Sequence, residues 1–81
     1  MRHYCTPHTD MVELIGHDGA SGFDYGPLSS ALKAREALEL ANSSALSALM
    51  IAKIHLLLEG LFIVETEEIL RAQPGFCLIL D

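Results

Sequence analysis

Residues 28–59 read LSSALKAREALELANSSALSALMIAKIHLLLE, a run dense in Ala and Leu that contains no Gly and no Pro. Ala, Leu, Lys, Arg and Glu are strong helix formers and the two helix breakers are missing, so the run predicts helix. Ala31, Ala34, Leu38, Ala41, Ala45, Ala48 and Ala52 recur at alternating steps of three and four, the spacing of one helix face and of a heptad seam. A flat face of small side chains lets another helix approach closely. Ala34, Leu38, Ala41, Ala45, Ala48 and Ala52 are therefore the expected oligomer interface. In the second half Leu46, Leu49, Met50, Ile51, Ile54, Leu57 and Leu58 add a broad apolar arc, and a helix apolar on most sides is expected to be buried on most sides.

Asn42-Ser43-Ser44 is the weak point of the run, because these side chains compete for backbone hydrogen bonds and favour caps. Unbroken, the helix would extend about 45 Å at 1.5 Å per residue. A compact chain of this size has a radius of gyration near 12 Å, so that version demands a dimer. Broken at Asn42, it becomes a helical hairpin.

Outward from this run, residues 1–10 show no periodicity and are expected to be disordered at the start of a single domain spanning residues 1–81. Met11 to Ile15 is apolar and branched and suggests a short strand. The glycine-punctuated stretch that follows reads as a loop leading to a helix capped by Ser29 or Ser30. Gly60 is a helix stop, and Leu61-Phe-Ile-Val-Glu65 reads as a buried strand. Thr66 is placed to cap a short helix ending near Gln73, with Glu67 and Glu68 in its first turn. Pro74-Gly75 turns the chain into a closing strand, Phe76-Cys-Leu-Ile-Leu80, in which Cys77 reads as a small buried hydrophobe. Fewer than a dozen residues separate these two late strands, which favours antiparallel pairing. An apolar terminal strand also offers an edge for pairing across a two-fold.

The expected fold class is thus α+β: one long or broken central helix packed on a small, mostly antiparallel sheet with a short C-terminal helix. An all-α bundle, with residues 61–72 continuing as helix, is the alternative.

Composition narrows the function classes. The chain has 81 residues, 51% of them hydrophobic, and a formal charge of −6. A domain this small hides only roughly 60 to 65% of its unfolded surface, and so apolar a composition points to oligomerisation as the added stabiliser. Residues 1–27 hold one Arg against four acids, residues 28–58 three bases against two acids, and residues 59–81 one Arg against five acids. Such a chain repels phosphate backbones, so no direct nucleic-acid contact is expected. Lys53, His55 and Glu59 interrupt the longest apolar stretch, so no membrane span is expected either. Two cysteines and a polar start without a signal peptide suggest a reducing, cytoplasmic setting.

Four groups bear on chemistry. His3, Cys5, His8 and His17 gather zinc-type ligands in the first seventeen residues, and Cys5-Thr-Pro-His8 has spacing compatible with a shared ion. Gly16-His-Asp-Gly-Ala-Ser-Gly22 lacks both the Lys-Ser or Lys-Thr of a phosphate loop and the full serine elbow. Lys53 falls within the apolar arc, where desolvation lowers an amine's pKa, although a packed stem with a snorkelling head is the commoner state. Glu65, Glu67 and Glu68 form the densest acidic cluster and are the expected contact with a basic partner.

The expected function is a small acidic, non-enzymatic interaction protein, a homo-oligomer acting as a regulator or inhibitor on the basic surface of a larger protein, with no cofactor. The alternatives are a zinc module built on the N-terminal cluster, and a small-ligand binder or enzyme with a pocket at a dimer interface near Lys53, His55 and the glycine loop.

Overall fold

The computed structural model describes residues 1–81. Strand β1 (Arg2–Tyr4) is followed by helix α1 (Met11–Ile15), strands β2 (Gly16–Gly19) and β3 (Gly22–Tyr25), and helix α2 (Pro27–Ala34). Then come strand β4 (Ala37–Ala41), a 3-10 turn (Ser43–Ala45), helix α3 (Ala48–Leu57), and strands β5 (Leu61–Ile63), β6 (Glu68–Leu70) and β7 (Cys77–Leu80). The mixed helix-and-sheet expectation holds, but there is no long central helix. The molecule's largest extent is 32 Å, too short for a continuous rod over residues 28–59.

What interrupts the rod is β4, the central strand of a three-stranded parallel sheet of order β1-β4-β7. Arg35 takes a left-handed conformation with φ 55° and ends α2. Residues 37–41, Ala-Leu-Glu-Leu-Ala, also carry a period of two. Leu38 and Leu40 enter the core and are fully buried, while Glu39 between them is only partly so. Pairing on both sides, Glu39 with Arg2 and with Ile79, gives this segment two ladders of hydrogen bonds that outweigh its helix propensity.

Asn42 does break the run, though not into a helical hairpin. It sits at φ 59°, and its side-chain amide donates to the Cys5 carbonyl at 3.1 Å. Ser43 donates its backbone N–H to the Asp81 carbonyl at 2.8 Å and its hydroxyl to the same oxygen at 3.1 Å. The polar pair thereby ties the ends of β1 and β7 to the end of β4. Helix α3 starts afresh after Ser47, whose hydroxyl accepts from the Met50 N–H at 3.1 Å.

Other expectations are corrected. Residues 1–10 contribute β1, which pairs with β4. Met11–Ile15 is a helix because the Asp10 carboxylate caps the Glu13 N–H at 2.8 Å. The glycine stretch is a β-hairpin, β2 with β3, in which Phe23 and Tyr25 pack inward around an exposed Asp24. Gly26 and Pro27 start α2; Ser29 is fully buried and donates to the Ile15 carbonyl at 2.7 Å. The short helix expected over residues 66–73 is replaced by β6, which pairs antiparallel with β5, because Glu67 at φ 57° turns the chain back. β7 does not pair with β5; it lies parallel beside β4. The mostly antiparallel sheet is therefore one parallel sheet and two antiparallel hairpins.

The core gathers Leu14, Leu28, Ala31, Leu32, Leu38, Leu40 and Ile54 with Leu61 and Ile63. Only 14 of 81 residues are buried, so a chain this apolar carries much of its hydrophobic surface outside. On the sheet, Leu38 and Leu40 face the core while Tyr4, Ala37, Cys77 and Ile79 on the opposite parity are exposed.

Candidate functional site

Helix α3 has the most anomalous surface. Of its ten residues, Ala-Leu-Met-Ile-Ala-Lys-Ile-His-Leu-Leu, only Ile54 is buried, at 1% exposure, whereas Leu49 and Leu56 are each 66% exposed. Leu49, Ala52, Lys53 and Leu56 fall at i, i+3, i+4 and i+7 and are all exposed, so they share one outward stripe. Beside that stripe lies a groove of 290 Å³ lined by Met11 and Ile15 of α1 and Lys53, Leu56 and Leu57 of α3. A second cavity of 350 Å³ opens where the β1–α1 loop meets the start of α3, with Thr9, Asp10, Ser47 and Met50 among its walls. Lys53 borders both. His55 borders neither, and its Nδ1 lies 3.0 Å from the Ile51 carbonyl.

The small-residue interface expected from the sequence is dispersed. Ala34 ends α2, Leu38 and Ala41 are buried in β4, Ala45 closes the 3-10 turn, and Ala48 and Ala52 are exposed on α3. Only the last two share a helix.

The N-terminal ligand set does not converge, and no three His, Cys, Asp or Glu side chains are arranged to hold a metal ion. The His3 Nε2 lies 2.6 Å from a Glu13 carboxylate oxygen. Cys5 is fully buried, and burial, with a smaller contribution from Glu13, raises its thiol pKa above the usual value. His8 is exposed in the loop between β1 and α1, and His17 is exposed on β2. Cys77, expected to be buried, is exposed because Leu78 occupies the core-facing parity of β7.

Comparison with protein-family models, with curated proteins and with solved structures finds no match to this chain.

The acidic cluster divides. Glu65 and Glu67 are exposed at the β5–β6 turn. Glu68 instead reaches α2 and β3: the Tyr25 hydroxyl donates to one carboxylate oxygen, and the Lys33 ammonium donates to the other at 2.8 Å. The Lys33 nitrogen also lies 4.1 Å from the centre of the Tyr25 ring, which Phe23 meets edge-on. The Lys33 contact, then the Tyr25 hydroxyl, hold the Glu68 carboxyl down at about 2, and the same carboxylate raises the Lys33 pKa.

Lys33 and Glu68 of this triad border a polar cleft of 250 Å³ between α2 and β6 that sequence reading missed. Lys33, Arg35, Arg71 and Gln73 line it together with Leu32, Ile69 and Leu70. Only two ion pairs form in the molecule, His3 with Glu13 and Lys33 with Glu68; the Arg35 and Arg71 guanidiniums have no carboxylate partner. Lys33 and Arg35 are far from Arg71 in sequence, and only the antiparallel return of β6 beside α2 unites them.

Proposed function

We propose that this chain is a small cytoplasmic, non-enzymatic interaction protein that pairs with a second copy of itself through α3 and acts as a regulator or inhibitor on a larger partner. The observation that carries this reading is the exposed Leu49–Ala52–Leu56 stripe lying against the groove of Met11, Ile15 and Leu57. Contiguous exposed apolar surface of this kind marks an association site. The patch is also self-complementary. A two-fold axis between Ala52 and Lys53 sets Leu49 of one copy against Leu56 of the other and Ala52 against the Lys53 stem, whose ammonium reaches solvent. Each copy then supplies both a protruding leucine and the groove that receives one.

A ten-residue helix is about 15 Å long, so such an interface lies at the small end of specific protein interfaces and its association depends on concentration. The larger partner is one with a basic surface, met by Glu65 and Glu67, which are exposed and engaged in no ion pair.

Sedimentation equilibrium of the full chain over a wide concentration range tests the reading. A reversible dimer that Leu49→Glu converts to a folded monomer is the expected result. A wild-type protein that stays monomeric at every concentration overturns it.

A further inference from the structure

We propose that the cleft between α2 and β6 is a binding site for the phosphate group of a small phosphomonoester, held by the Arg35 and Arg71 guanidiniums with Lys33 and the Gln73 amide alongside.

The first support is charge. The chain carries −6 overall and has only five Lys and Arg residues, yet three of the five line this one cleft, with a single acid, Glu68. The local balance is therefore positive while the rest of the surface is negative. Bases at the end of a helix are ordinary, since they complement its dipole, and Lys33 in the last turn of α2 and Arg35 at its C-cap both fit that account. Arg71 does not, because it follows β6 and arrives from another element.

The second support is free donor capacity. Neither guanidinium forms an ion pair, so two planar forks of the kind that match phosphate oxygens in pairs are available. Lys33 has three donors and gives one to Glu68. Each Glu68 carboxylate oxygen already accepts one hydrogen bond, from Tyr25 or from Lys33, so its charge is partly compensated before a ligand arrives.

The third support is rigidity of the walls. Arg35 is fixed in its left-handed turn, and Gly75, at φ +104°, packs so closely behind it that a Cβ there would fall 2.5 Å from the Arg35 carbonyl oxygen. The backbone beside Arg71 is held by the Ala72 N–H, which donates to the Leu58 carbonyl at 2.9 Å.

Size and lining select the ligand. A volume of 250 Å³ exceeds a bare phosphate, being roughly eight waters at about 30 Å³ each. Leu32, Ile69 and Leu70 contribute apolar lining beside the cations, so the phosphate carries a compact apolar or aromatic group. A polyanion is disfavoured, because its further phosphates would meet the negative remainder of the surface.

Calorimetric titration of the full chain with phenyl phosphate and with inorganic phosphate tests the assignment. Saturable binding is expected, tighter for phenyl phosphate, and about tenfold or more weaker in each of Arg35→Gln and Arg71→Gln, as loss of a charge-assisted hydrogen bond implies. Arg71→Lys, which keeps the charge and removes the fork, should recover only part of the loss. Arg2→Gln, a charge-matched change outside the cleft, should leave affinity unaltered, with circular dichroism confirming that every variant is folded. Absence of saturable binding, equal weakening by Arg2→Gln and Arg71→Gln, or equal affinity for the two probes overturns the proposal.

Discussion

Leu56→Ala separates association from folding. In the isolated chain Leu56 is 66% exposed, so truncating it removes only about a third of a leucine's burial and should cost folding about 0.5–1 kcal/mol. Fully burying a leucine is worth about 1.5–3 kcal/mol, and two-thirds of that is about 1–2 kcal/mol. A two-fold interface contains the residue twice, so the dimer should weaken by about 2–4 kcal/mol, or roughly 30- to 700-fold in Kd. Ile54 lies two residues away on the same helix at 1% exposure. Ile54→Ala should show the opposite signature, a folding loss of about 2–5 kcal/mol. Sedimentation equilibrium reads the first quantity and urea denaturation at low protein concentration reads the second. A dimer constant unmoved by Leu56→Ala, or a folding loss from it equal to that of Ile54→Ala, refutes the assignment of α3's outer stripe as the interface.

Ser29→Ala should destabilise the fold by about 1–3 kcal/mol in urea titrations, because it strips a fully buried donor from the Ile15 carbonyl. The Lys33–Glu68 contact should shape the acid limb of stability. The Glu68 carboxyl is lowered from 4.5 to about 2 on folding, so its contribution is complete above pH 4.5 and is lost as pH falls towards 2. The melting temperatures of wild type and Glu68→Gln should therefore differ above pH 4.5 and draw together towards pH 2. Lys33, whose pKa is raised, contributes below its unfolded value near 10.5 and loses that contribution at higher pH. Alkylation followed by mass spectrometry should label one thiol per native chain, Cys77, and reach Cys5 only after unfolding, since Cys5 is buried with its pKa raised and Cys77 is exposed.

Little of the candidate surface was legible in the chain. The apolar excess of α3 was, since Leu49, Met50, Ile51, Ile54 and Leu57 leave little polar surface around Lys53 and His55; which of them faces out was not, because a helix with little amphipathic bias carries little orientation signal. The basic cleft was invisible because its cations come from α2 and from beyond β6. Glu68 was read with Glu65 and Glu67 as one acidic cluster, yet strand alternation turns it towards Lys33 while its neighbours face solvent. Two local signals were present and unread: the Asp10 and Glu13 spacing of a capped helix start, and Pro27 at the first position of α2.

The sequence by itself determined the composition of the problem: a chain too small and too apolar to hide its hydrophobic residues, helix around Ile54, strand at Leu61 and again after Pro74-Gly75, and a weak point at Asn42 that left a continuous and a broken helix both open. Only the tertiary structure decided what residues 37–41 are. Ala-Leu-Glu-Leu-Ala satisfies a period of three and four as part of the alanine stripe, and a period of two through Leu38 and Leu40. Local propensity favours the first by a few tenths of a kcal/mol per residue. Two strands distant in sequence, β1 and β7, supply ladders on both sides and a core for two leucines. Those non-local contacts outweigh the propensity, and no local reading of the five residues contains them.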